Sequence, residues 1–156
     1  MVAPFSVDSL TICDFLTQDR SGKQTLVGVY EGAIRFDTAP RRWPPLFINV
    51  VINPERERFR FVVDIRKIDG ERLVRVLCEY EALSPPPPEN SLIVSAKMPE
   101  ISFTGEGDYE FTVGTDDQSV IYRRVLPVRI GPAVSPAVRM KARTETGKPP
   151  VGVVAP

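Results

Sequence analysis

Apolar and polar residues alternate most clearly between positions 103 and 128. Tyr109, Phe111 and Val113 alternate with Asp108, Glu110 and Thr112. That period of two predicts a strand with one buried and one wet face. Gly105 and Gly107 precede it and suit a tight turn. Gly114 to Asp117 supply the next turn. The return strand, Ser119 to Val128, places Val120, Tyr122, Arg124 and Leu126 on one face. Ile121, Arg123, Val125 and Pro127 take the other.

The rest of the chain reads the same way. Strands are predicted over Ser9–Leu16, Gln24–Tyr30 and Ala33–Phe36, and Gln18–Lys23 is a turn by composition. Three prolines make Asp37–Pro45 a loop. Leu46–Ile52 is apolar except for Asn49, the pattern of a strand central to its sheet. Phe59, Phe61, Val63 and Ile65 alternate with Arg60, Val62, Asp64 and Arg66, and Asp69-Gly70 signals a hairpin to Glu71–Leu83. Pro85 to Pro88 form a stiff polyproline run before the strand Ser91–Met98. The expected fold is all-β: an immunoglobulin-like or similar two-sheet antiparallel β-sandwich of seven to nine strands over residues 6–130. Residues 131–156 hold five prolines, three glycines and four basic residues against one acidic residue, and read as a flexible tail.

The order Gly105-x-Gly107-x-Tyr109-x-Phe111 is similar to the penultimate strand of immunoglobulin-like sandwiches. A tyrosine there ties down a corner, two residues before a buried position. The simpler reading, an aromatic packing face without the corner bond, is preferred.

Composition narrows the chemistry. The 156 residues suit one domain, and 42% hydrophobic with 26% charged residues is ordinary for a globular protein. Twenty Lys and Arg balance twenty Asp and Glu, so no net charge draws the chain to nucleic acid or a membrane. Histidine is absent, which removes the commonest general base and zinc ligand. Neither a signal peptide nor a membrane span is expected. Cys13 and Cys78 are expected to be reduced and inert in a cytoplasmic protein.

Three stretches carry a family resemblance: Leu10–Phe15 with Gly22–Tyr30, Pro45–Val50, and Gly107–Phe111 followed by Arg124–Val128. Together they resemble a family of small bacterial proteins described as a domain of unknown function. The resemblance spans about residues 8 to 130. It implies a β-sandwich in a bacterial or phage setting and assigns no active-site residue.

No catalytic residue, metal site or cofactor is expected. The turn carboxylates Asp19, Asp69, Glu106, Asp108, Asp116 and Asp117 leave a calcium site as an alternative to plain turn chemistry. The binding residues expected are Arg41, Arg42 and Trp43, since Arg and Trp are enriched at hot spots and flanking prolines stiffen the loop. The alternative folds Trp43 back over the open end of the sandwich. Arg58, Arg60 and Arg66 read as a solvated strand face with neighbouring acids rather than a nucleic-acid patch. Val151–Val154 supply apolar residues by which the tail would dock on a partner. The expected function is a non-catalytic binding or scaffold module that engages another protein through loops or the tail. The alternatives are a structural subunit of a larger bacterial or phage assembly, and a divalent-metal or carboxylate-dependent enzyme.

Overall fold

The computed structural model describes residues 2–82 and 91–132, and the Pro85–Pro88 run and the Val151–Val154 segment lie outside them. The described residues form nine strands and no helix: β1 Phe5–Gln18, β2 Gln24–Val29, β3 Ile34–Phe36, β4 Phe47–Pro54, β5 Arg58–Lys67, β6 Arg72–Glu81, β7 Leu92–Lys97, β8 Gly107–Gly114 and β9 Val120–Ile130. They build a four-stranded sheet, β2-β1-β4-β7, and a five-stranded sheet, β3-β9-β8-β5-β6.

β4 pairs with both β1 and β7, which accounts for its largely apolar run. The β5–β6 hairpin turns at Asp69, whose φ of 65° is the left-handed conformation that Asp tolerates. Two features depart from expectation. β3 runs parallel to β9, so the sheets are not wholly antiparallel. The chain leaves the four-stranded sheet after β2 and lays three residues beside β9, with Ile34 buried. β1 also begins at Phe5 rather than Ser9. Its register with β4 shifts between Val7 and Ser9, and the Phe5 ring stacks on Phe59 of the opposite sheet at 4.8 Å.

The two sheets share one hydrophobic cluster. Leu10, Ile12, Ile48, Val50 and Ile52 come from one; Phe61, Ile65, Tyr109, Phe111 and Leu126 come from the other. Burying each such side chain contributes roughly 1.5–3 kcal/mol. Arg124 of β9 also faces inward. Its guanidinium donates to the carbonyls of Leu10 at 2.9 Å, Tyr30 at 2.7 Å and Glu31 at 3.2 Å. The four-stranded sheet is curled enough that its two end strands touch: Gln24 Nε2 on β2 donates to Ser95 Oγ on β7 at 2.9 Å.

Tyr109 does more than pack. Its hydroxyl donates to the Gly105 carbonyl at 2.6 Å and lies 2.8 Å from Thr104 Oγ1. The packing face was the preferred reading; the corner bond, its alternative, is present as well. Gly105, at φ 95°, holds a conformation that lets its carbonyl turn back to the ring.

Candidate functional site

β8 lies between β5 and β9, and its outer face is covered. Glu110 and Thr112, expected to be wet, are buried, Glu110 to 3% exposure. The register explains the covering. Arg66 sits opposite Glu110 on β5, and Arg123 sits opposite Thr112 on β9, so alternation places both arginines on the face of the carboxylate. Arg66 Nε reaches one Glu110 oxygen at 2.5 Å and Arg123 Nε reaches the other at 2.8 Å. Each guanidinium is engaged through Nε and remains about half exposed, at 53% and 56%.

A second carboxylate works beside the first. Asp64 receives Arg72 Nε at 2.8 Å, and Arg75 Nη1 lies 4.0 Å away. A shallow groove of about 130 Å³ runs between these groups. Four guanidiniums thus surround two carboxylates, an excess of positive charge on an open sheet face. Arginine keeps its proton in proteins and presents a planar fork of donors. The arrangement is suited to holding a carboxylate or phosphate oxygen.

The Arg41–Trp43 segment is divided by its backbone. Trp43 N donates to Ile101 O at 2.9 Å and Phe103 N to Arg41 O at 3.3 Å, so the segment pairs with residues 101–103. This turns the indole inward, to 4% exposure, edge-on to Tyr109 at 5.1 Å and Phe36 at 6.3 Å. Trp43 therefore takes the folded-back alternative and offers no exposed ring to a partner. Its Nε1 has no hydrogen-bond partner among the described residues. Arg41 stays exposed, and Arg42 pairs with Glu100 at 2.5 Å. That contact raises the Arg42 pKa and holds the Glu100 carboxyl below its ordinary value. The three residues do not share one contact surface.

Three of the turn carboxylates serve the backbone, and Asp108 pairs with Arg129 at 3.4 Å. Asp19 Oδ1 accepts from Ser21 N at 2.8 Å, Ser21 Oγ at 2.6 Å and Lys23 N at 3.0 Å. These bonds, the Ser21 hydroxyl first, depress its pKa. Asp117 accepts from the Thr115 hydroxyl and from Ser119 N, with the same effect. Glu106 accepts from Ile130 N at 2.6 Å. Among the described residues, no three His, Cys, Asp or Glu side chains gather in a metal-holding group. Cys13 on β1 and Cys78 on β6 belong to different sheets and are unpaired. Burial pushes both thiols up, and the Asp14 charge adds to the effect on Cys13.

The solvated-face reading describes Arg58 and Arg60, which pair across β5–β6 with Glu81 at 2.5 Å and Glu79 at 2.8 Å. It describes Arg66 as well, which is exposed on the same face and paired with an acid; what it left out is that this acid, Glu110 on β8, is buried. Alternation had already set Arg123 and Arg124 on opposite faces; only the pairing of β8 with both β5 and β9 brings Arg66 and Arg123 to Glu110. No helix of the described residues is long and apolar enough to cross a membrane. Comparison with curated proteins gives no match. The model of a family of unknown function, DUF6941, matches residues 8–129, and the chain belongs to that family.

Proposed function

We propose that this protein is a non-catalytic binding module that engages an acidic segment of another protein through the outer face of its five-stranded sheet. The observation that carries this reading is the Arg66–Glu110–Arg123 fork, a buried carboxylate fixing two half-exposed guanidiniums. Fixing them beforehand lowers the ordering cost of binding, and arginine is enriched at protein interfaces. The fold in this reading is an immunoglobulin-like two-sheet sandwich. The Tyr109–Gly105 corner bond and the shared core of the two sheets support it. The unpaired Cys13 and Cys78 favour a reducing bacterial cytoplasm as its setting.

The test is affinity capture from a bacterial lysate with the full chain, wild type against the double variant Arg66→Lys, Arg123→Lys. Lysine keeps a cation on Glu110 but loses the planar fork. The expected result is an acidic partner retained by wild type, eluted by salt, and retained about tenfold less by the variant. Equal retention by both proteins would overturn the proposal, as would a partner insensitive to salt.

A further inference from the structure

The five-stranded sheet ends on β6, which is hydrogen-bonded to β5 alone. Among the described residues its other edge has no partner strand. An open edge is a template for another strand, and long ones are usually blunted by proline, a bulge or an inward charge. β6 runs ten residues without proline or glycine, and its one bulge, at Leu73, lies near its start and leaves Val74–Glu81 regular. The end strands β2 and β7 of the other sheet have six residues each, and Lys97 is their one charged residue.

The outer face of β6 has a pattern that complements itself. Leu77, 53% exposed, has Arg75 two residues before it and Glu79 two residues after it. Antiparallel pairing of two copies about a twofold axis at Leu77 sets Arg75 opposite Glu79 of the second copy, twice. It also sets Leu77 opposite its own equivalent. Facing Cβ atoms in such pairs lie about 4.5–5.5 Å apart, within reach of an ion pair and an apolar contact.

The β5–β6 register extends both rows. Arg60 is opposite Glu79, Val62 opposite Leu77, and Asp64 opposite Arg75. Across the joined sheets one row reads Arg60, Glu79, then Arg75 and Asp64 of the second copy, alternating in sign throughout. The next reads Val62, Leu77, then Leu77 and Val62 of the second copy, apolar throughout. On the inner face the half-buried Val76 and Cys78 come opposite each other and continue the core. Moving the centre by one residue sets Leu77 against Glu79 or Arg75 and breaks both rows.

We infer that two copies of this chain pair antiparallel through β6, centred on Leu77, and join their five-stranded sheets into one ten-stranded sheet. Arg66, Glu110 and Arg123 take no part, so the fork that carries the proposed function is left free, although Arg75 and Asp64 beside it are engaged by the pairing.

The test is sedimentation velocity of the full chain between about 1 and 200 µM, because one edge pairing buries less than the roughly 1,200 Å² of a stable interface. Wild type is expected to pass from monomer to dimer. Arg75→Glu and Glu79→Arg are each expected to remain monomeric, since each sets like charges together. An equimolar mixture of the two is expected to dimerise, because both contacts again join opposite charges. Leu77→Cys is expected to give a disulfide-linked dimer under mild oxidation, whereas Leu73→Cys is not. A wild type still monomeric at about 200 µM would overturn the inference. So would a dimer indifferent to both charge changes, or a mixture that fails to associate. Slow amide exchange along the outer edge of β6 in a monomer would assign that edge to the chain itself, and equally overturn it.

Discussion

The guanidinium of Arg124 on β9 crosses the interior and donates to the carbonyl of Leu10 on β1, in the other sheet, at 2.9 Å. It also reaches Tyr30 O at 2.7 Å, where the chain leaves β2 for β3. One charged side chain thereby joins both sheets and fixes the crossing between them. The guanidinium spreads its donors over two terminal nitrogens and so reaches carbonyls on two separate segments, whereas an ammonium offers its three donors from a single atom.

Arg124→Met is therefore expected to destabilise the fold by about 2–4 kcal/mol, since it removes charge-assisted bonds and leaves the Leu10 and Tyr30 carbonyls short of a donor. Arg124→Lys is expected to recover less than half of that loss. Chemical denaturation of the three proteins measures it, and full rescue by lysine would mean that charge alone matters at this position.

Trp43→Ala is expected to cost about 3–5 kcal/mol, because the indole fills the core against Tyr109 and Phe36. Partner retention below the melting temperature is expected to stay at the wild-type level. Loss of the partner from a fully folded variant would return the Arg41–Trp43 segment to the binding surface.

The Glu110 fork is expected to be asymmetric. Glu110→Gln returns two half-exposed arginines to water and costs about 1 kcal/mol. Removing both arginines, by Arg66→Ala with Arg123→Ala, leaves a buried carboxylate without a partner and costs about 3–5 kcal/mol. Equal losses in the two proteins, measured by urea unfolding, would show that the carboxylate is not the buried element of the pair.

The pH dependence follows from groups shifted in opposite directions. Asp19, Asp117, Glu81 and Glu100 are held below the ordinary carboxylate values of 3.8 and 4.5. The unfolded chain takes their protons first, so their contribution is complete above those values and declines as pH falls below them. Cys13 and Cys78 are raised above the ordinary 9.0, and Tyr30, through burial and its bond to Asp14, above 10.0. The unfolded chain loses those protons first, so stability declines as pH rises past about 9. With no histidine in the chain, the melting temperature is expected to be level from about pH 5.5 to 8.5 and to fall on both sides. A step near pH 6.5 in a thermal melt series would contradict this.

Much of the fold was legible because strand alternation is a local signal. Phe59 to Ile65, Asp69-Gly70 and Tyr109 to Val113 declared two hairpins from neighbouring residues alone. Phe5 was missed because its partner Phe59 is 54 residues away, and no local pattern reports a ring stacked across the core. The parallel pairing of β3 was missed for the same reason: three residues carry no sign of direction. The site was less legible still. Glu110 looks like any solvent-facing residue of an alternating strand, and it is buried only because arginines from two other strands close over it. Arg-Arg-Trp stood out by residue type, yet the backbone pairing of 41–43 with 101–103 decides which side chain faces inward.

The most direct test of the arginine face places a photo-crosslinking residue at Val125, which is exposed on β9 opposite Glu110, and in a second protein at Val27, which is exposed on the other sheet. Both are irradiated in a lysate of the native host. Crosslinking of an acidic protein from position 125, and not from 27, is the expected result. The same protein crosslinked from 27 alone would contradict the assignment of binding to the face of Arg66, Glu110 and Arg123.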